Sequence, residues 1–414
     1  MAPPADGSLP VRERIATLDV LRGFALLGIL IMNMPGFGSS FFAEADGSHL
    51  WTGRVDQIAE NVRDLLFSGK FNSMFSLLFG IGFTIQYARI EARDPDHATR
   101  IYLRRLAVLA ALGLVHANLF WTGDVLHIYA LLGLLLVFPL RRASPRTIVA
   151  LIVLCLLYPV VSGALRLALT TPEVTAMLVA RAQAFEASNN AAYGHGTFLQ
   201  AAAEHMREFA YFYGTPWTIW STLNFWMQMS LTMLLGLLAG RRRWVQRIPE
   251  LMPQIRRLMW AALAVGLACG AGFTLIFELN RVPGPSPIKL VGSLCYWTGR
   301  VAMMIFYVLA IVRLAQIPVW QARLAPPAAA GRMPLTNYLM QTALCTTLFY
   351  GWGFGLWGKV GPAAGLALAV AIFFAIQVPW SVWWLKRHER GPLEALWARL
   401  TYGARDTQAL APNA

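Results

Sequence analysis

Charge is scarce in this chain of 414 residues: only 14% are Asp, Glu, Lys or Arg, where a soluble globular protein carries about a quarter. Acidic residues are scarcer than basic ones, 21 against 35. Cysteine is scarce as well. Cys155, Cys269, Cys295 and Cys345 all fall inside apolar runs, with neither metal-ligand spacing nor the pattern of a disulfide framework, and read as small buried hydrophobes. No Walker motif, no dinucleotide-binding glycine fingerprint and no His/Cys/Asp/Glu constellation is present, so no metal is expected. The short alternating segments of a membrane β-barrel are missing too.

What the chain has in excess is apolar mass, 57% of its residues. It comes in runs of about 17 to 24 residues, the length that crosses roughly 30 Å of hydrocarbon at 1.5 Å per residue. Ten such runs lie near 18–36, 71–88, 105–121, 124–140, 147–168, 216–240, 258–279, 290–313, 334–352 and 363–385. The expected fold is therefore all-α: a polytopic transmembrane bundle of about ten spans, surrounded by lipid. Asp19 and Arg22 interrupt the first run, and no small-residue cleavage site follows, so it reads as an uncleaved span. With the N-terminus inside, the loops on the cytoplasmic side and the tails carry 23 Lys and Arg and the outer segments carry 8. This positive-inside bias sets both termini in the cytoplasm. It also accounts for the net charge of +14 without a nucleic-acid partner.

Three regions follow: a cytoplasmic tail over 1–17, a membrane domain over 18–385 and a second cytoplasmic tail over 386–414. The polar stretch 169–215 suggests amphipathic helices over the outer mouth, and 316–333 reads as a Pro/Ala linker between the eighth and ninth spans. Five spans precede the outer stretch and five follow it, but the halves share no convincing sequence similarity.

Ionisable residues inside a membrane are costly, so they are candidates for function. Asp19 and Arg22 are three apart on the first span and read either as a self-neutralising pair or as a basic group facing an anionic ligand. Arg104 and Arg105 open the third span, with His116 eleven residues further along, about 16 Å deeper; Asn33 lies at the same height above Arg22. Asp124 and His127 are three apart at the start of the fourth span. A carboxylate beside an imidazole orients it as a general base; the alternative is a satisfied interhelical hydrogen bond. Arg300 lies mid-span without a charged neighbour in sequence, and needs a carboxylate or an anionic ligand. Arg332 opens the ninth span, followed by a polar face of Asn337, Tyr338 and Gln341.

The segments "LDVLRGFALLGILIMN", "GKFNSMFSLLFGIGF", "GLVHANLFWTGDVLHIYALLG", "GRMPLTNYLMQ" and "KRHERGPLEALWARLTYG" resemble the YeiB family of bacterial membrane proteins, from Leu18 to Tyr402. The opening "LDVLRG" also resembles the first span of the wider transmembrane acyltransferase superfamily, which includes bacterial O-acyltransferases of surface sugars and heparan-α-glucosaminide N-acetyltransferase. That resemblance implies transfer of an acyl group from cytosolic acyl-CoA, acetyl-CoA being the expected donor, to a small-molecule, sugar or lipid acceptor reached from the outer side. Asn33 stands where the O-acyltransferases carry a histidine, as it does in the glucosaminide enzymes. His116 and His127 then become the candidate bases, supported by Asp124, with Asn33 as an oxyanion donor.

On this reading Arg22, Arg104, Arg105 and Arg332 hold the coenzyme A phosphates, and Arg300, Asn337, Tyr338 and Gln341 face the substrate. The alternative is a secondary transporter of a small anionic or polar substrate, using the same groups to bind it and relay protons. A homodimer is left open.

Overall fold

The computed structural model describes residues 11–403. Helix accounts for 81% of the described residues, and no strand occurs among them. A bilayer core demands this, because each backbone N–H and C=O must find its partner inside its own segment.

The helices are α1 (Val11–Gly38), α2 (Arg54–Leu66), α3 (Lys70–Arg93), α4 (Ala98–Leu119) and α5 (Leu126–Leu135), the last continuing through a π-helical turn, Leu136–Leu140. Next come α6 (Pro145–Leu169), α7 (Pro172–His195), α8 (Phe198–Gly214), α9 (Pro216–Arg241), α10 (Ile248–Leu279) and α11 (Pro287–Leu314). The chain closes with α12 (Pro318–Gly331), α13 (Pro334–Phe349), α14 (Pro362–Ala371), a π-helical stretch Ile372–Gln377, α15 (Val378–Leu385) and α16 (Pro392–Tyr402). Proline at the first turn starts many of these helices, where its missing N–H costs nothing.

Among the described residues, seven segments are long and apolar enough to cross a membrane: Ala16–Gly38, Arg54–Arg93, Pro145–Leu169, Pro216–Arg241, Ile248–Leu279, Pro287–Leu314 and Pro362–Leu385. The other three expected spans coincide with α4, α5 and α13, which are more charged or shorter. Arg100, Arg104 and Arg105 load the start of α4, and α13 has 16 residues, about 24 Å of helix.

Burial separates the centre of the bundle from its rim. The spanning window of α1 is 61% buried, whereas those of α6 and α10 are 22% and 17% buried. Leu154, Leu157 and Val161 on α6 and Leu258, Val265 and Leu275 on α10 are exposed, the pattern of helices whose apolar side chains meet lipid. Near the centre α3 and α9 pack backbone to backbone. A Cβ on Gly80 would lie 2.1 Å from the Met233 carbonyl oxygen, and one on Gly236 2.1 Å from that of Leu77. Small residues at such crossings are what brings helices together where lipid and side chain are equally apolar.

Two stretches depart from the sequence reading. Residues 318–331, expected within a linker, form α12, which packs along α1 and buries Leu324, Pro327 and Ala330. Its alanines are strong helix formers, and Pro326 and Pro327 remove two N–H donors without ending the helix. Residues 392–402, expected within a tail, form α16 and dock onto α13 and α4. Glu394 accepts the backbone N–H groups of Leu335 (2.7 Å) and Thr336 (3.1 Å) and the Thr336 hydroxyl (2.5 Å), filling the donors left open at the start of α13. The stretch 169–215, expected on the outer side, forms α7 and α8. Residues 1–10 and 404–414 of the expected tails lie outside the described residues.

Candidate functional site

The chain leaves α4 at Leu119, turns through Thr122 and Gly123, and enters α5 at Leu126. A turn this short makes α4 and α5 antiparallel neighbours. Gly113 lets them close up: a Cβ there would sit 2.3 Å from the His127 backbone nitrogen. Asp124, at the turn, then reaches both histidines. Its Oδ1 is 2.9 Å from His116 Nδ1 and its Oδ2 is 2.9 Å from His127 Nδ1, and Oδ2 also accepts the His127 backbone N–H at 3.3 Å. All three side chains are buried, the Asp124 carboxylate completely.

An ionised carboxylate only accepts hydrogen bonds, so each Nδ1 donates to it and each Nε2 is left as an acceptor. Each Nε2 meets a hydroxyl: Thr342 Oγ1 at 2.9 Å from His116 and Tyr213 OH at 2.7 Å from His127. The centre is therefore two hydroxyl–imidazole–carboxylate relays sharing one aspartate. Tyr338 adjoins it, its ring centroid 5.5 Å from that of His116.

The other expected site residues separate into groups. Asn337 and Gln341 are buried in a closed network: Asn337 Nδ2 donates to the Ser381 hydroxyl at 3.0 Å, and Gln341 Nε2 to the Leu26 carbonyl at 3.1 Å and to Gln377 Oε1 at 3.0 Å. The network ties α13 to α1 and to the π-helical stretch. Asn337 and Gln341 do share a helical face, whereas Tyr338 and Thr342 form the next face and turn to His116. Asn33 makes no hydrogen bond to either histidine among the described residues.

At the arginine-rich end, Arg22 pairs with Asp19 at 2.8 Å, and Arg332 is near enough to Asp19 to act on its charge. Arg105 lies 3.5 Å over the Trp397 ring of α16. Arg104 and Arg332 are exposed. Arg300 is buried against Ser73, its Nε 2.9 Å from the hydroxyl, and makes no hydrogen bond to either histidine among the described residues.

Sequence reasoning missed a third buried histidine. On α8, His205 Nδ1 lies 2.9 Å from Tyr193 OH and 3.0 Å from Thr122 Oγ1, with Glu208 Oε2 at 3.9 Å. Asn189 holds that carboxylate at 2.7 Å. The signal available was the three-residue spacing of His205 and Glu208, hidden because α8 turns its polar side inward. Glu44, His49 and Glu60 bring ligand atoms within 4.8 Å of one another. Each already has an ionic partner, though: Arg281 at 3.0 Å, Glu278 at 3.6 Å and Arg63 at 3.2 Å respectively.

Comparison with known proteins finds relatives along nearly the whole chain. Residues 239–404 match a family model described as "Protein of unknown function (DUF418)". "Uncharacterized protein YxaH" of Bacillus subtilis is 30% identical over 94% of this chain and 94% of its own. "Uncharacterized protein YeiB" of Escherichia coli is 30% identical over 95% of this chain and 97% of its own. The chain belongs to the YeiB family. A third relative, "Uncharacterized 39.9 kDa protein in amylase 3'region" of Bacillus acidopullulyticus, is 29% identical over 94% of each chain. No solved structure matches. In this YeiB-family protein the matched family region contributes Thr342 and Arg300, while His116, Asp124 and His127 lie in the part covered by the full-length relatives.

Proposed function

We propose that this protein is an acyl-CoA-dependent acyltransferase of the bacterial inner membrane, with His116 as general base and Asp124 as the carboxylate that orients it. One observation carries the reading: a hydroxyl stands 2.9 Å from His116 Nε2 while Nδ1 faces a buried carboxylate at 2.9 Å. That is the arrangement that draws a proton from an alcohol or amine as it attacks, with the carboxylate stabilising the imidazolium that forms. In a working complex the acceptor's hydroxyl or amine would take the position Thr342, or at His127 Tyr213, holds.

The donor side is supported by the basic cluster of Arg22, Arg105 and Arg332, with Arg104 beside it. Guanidinium groups suit the phosphates of coenzyme A. His116 follows Arg105 by eleven residues of one helix, about 16 Å, a distance an extended pantetheine arm covers. Asn33 would serve as oxyanion donor once substrate draws it in. The 23-to-8 partition of Lys and Arg supports ten crossings with the basic end and both termini in the cytoplasm.

A second reading, secondary transport, is favoured by one observation only: Arg300 is buried without a carboxylate partner among the described residues. Titration calorimetry with acetyl-CoA on the purified protein, joined to an assay of thioester consumption, separates the two. Acyl transfer predicts that Arg22→Ala and Arg332→Ala weaken donor binding tenfold or more, the loss of about 1.5–3 kcal/mol from a charge-assisted bond. It also predicts that His116→Ala binds the donor normally and turns nothing over. Absence of acetyl-CoA binding in the wild type would remove the donor assignment, and a fully active His116→Ala protein would remove the base.

A further inference from the structure

The segment "GKFNS", residues 69–73, has no part in the histidine centre, yet it surrounds the most unusual charge in the molecule. Arg300 is 2% exposed. Its Nε donates to Ser73, its guanidinium lies 5.7 Å from the Phe225 ring and 5.9 Å from the Tyr296 ring, and its Nη2 has no hydrogen-bond partner. No carboxylate pairs with it among the described residues. A second cation is close enough to repel it: Lys70, 3% exposed, whose Nζ donates to the Asp64 carbonyl oxygen at 2.5 Å. The Asp64 carboxylate offsets part of the Lys70 charge, but none pairs with Arg300 among the described residues, and membrane proteins bury such a charge where an anion completes the site.

Independent features converge on the same place. Lys70 opens α3, so the positive end of a 24-residue helix lies here, the Lys70 and Ser73 N–H groups donating to the Phe67 and Gly69 carbonyls. Gly69, at φ +73°, makes the turn into that helix, and a Cβ on it would come within 2.5 Å of Arg300 Nε. Asn72 Oδ1 is buried without a partner, as are both polar atoms of the Gln228 side chain. Gln228 follows Phe225 by one turn of α9. That helix runs parallel to α3, with Gly236 on Leu77 and Gly240 on Thr84, a register that brings Gln228 level with the start of α3. Either amide can present its NH2 group to an anion.

A cavity of about 330 Å³ reaches the residues next to Gly69: its wall includes Met32, Arg63 and Ser68, together with the carboxylates of Glu60 and Asp64. The Met32 sulfur accepts the Gly69 N–H at 3.0 Å.

We propose that Arg300, Lys70, Asn72 and Gln228, with the first turn of α3, form a binding site for an anionic group, a carboxylate or phosphate, that enters by this cavity. The anion arrives either free or as the head of a small molecule whose body fills the cavity. The site neighbours the histidine centre through Tyr129, whose hydroxyl donates to the Asn72 carbonyl oxygen at 3.1 Å, but it shares no side chain with that centre and stands whether or not that centre transfers acyl groups.

Thermal unfolding of the full-length protein, purified into low-ionic-strength buffer and titrated separately with inorganic phosphate and with acetate, tests the proposal. The wild type should be stabilised saturably by at least one of them. Arg300→Met should raise the half-saturating concentration at least tenfold, and Lys70→Met several-fold. Asn72→Asp, which supplies an internal carboxylate, should abolish the response while leaving the protein folded; it decides the matter if Arg300→Met does not fold. Mass spectrometry of molecules released from wild type and from Asn72→Asp distinguishes the sources. An organic acid or phosphoester enriched only in the wild type identifies an anionic head group, and its absence beside a saturable phosphate or acetate response identifies a free anion. No response in the wild type, or an equal response in Asn72→Asp, would overturn the site.

Discussion

Two of the buried polar centres of this membrane bundle, around Asp124 and around Arg300, differ in how they balance their hydrogen bonds. Around Asp124 every ring nitrogen and both carboxylate oxygens are partnered within 2.7–3.3 Å, with the adjoining Tyr338 hydroxyl buried without a partner. Around Arg300 a guanidinium nitrogen, an asparagine oxygen and a whole glutamine amide are buried without partners. A closed network rigidifies and holds a proton in a defined position, whereas an open one is held open for something that arrives. The contrast teaches that polarity in a membrane interior has two uses, and that the partner count tells them apart better than charge does.

Breaking the closed centre should have the largest effect. Asp124→Ala leaves two buried imidazoles facing an empty site and should cost about 3–5 kcal/mol of stability, read as a fall in the unfolding midpoint together with loss of any thioester turnover. Asp124→Asn keeps the shape and one acceptor, so its loss should be smaller. Arg300→Met tests the opposite property. Replacing an uncompensated buried charge by an apolar chain of similar volume should leave stability unchanged or raise it by about 1–4 kcal/mol in anion-free buffer. Of smaller size are the hydroxyls on the far side of each imidazole. Thr342→Val and Tyr213→Phe should each cost about 1 kcal/mol; a double-mutant cycle near zero would mean the two relays act separately, and a coupling above about 0.5 kcal/mol would mean they communicate through Asp124. Smallest is the difference between adjacent arginines: Arg105→Ala removes the contact with Trp397 and should cost about 0.5–1 kcal/mol, while exposed Arg104→Ala should be neutral within about 0.5 kcal/mol.

Much of this architecture is legible in the sequence because lipid enforces it locally. Apolar runs announce α1, α6, α9, α10 and α11, and Thr122 and Gly123 announce the tight turn that joins His116 to Asp124. Long-range partners are not legible. Thr342 meets His116 across 226 residues and Arg300 meets Ser73 across 227, and no local pattern encodes either pairing. The linker reading of 316–333 failed because tandem proline is a weaker helix breaker than burial along α1 is a helix former. The docking of α16 was hidden because Glu394 reads as a surface charge until the open end of α13 lies beside it. His205 escaped notice for the converse reason: on α8 the polar side faces inward.

One paired measurement tests the distinction between the closed and the open centre most directly. The unfolding midpoints of Asp124→Ala and Arg300→Met would be compared with the wild type in the same anion-free buffer. A closed Asp124 centre and an open Arg300 centre predict a marked fall for the first and an equal or higher midpoint for the second. A fall of Arg300→Met as deep as that of Asp124→Ala would show that Arg300 is partnered within the fold after all, and would contradict the account.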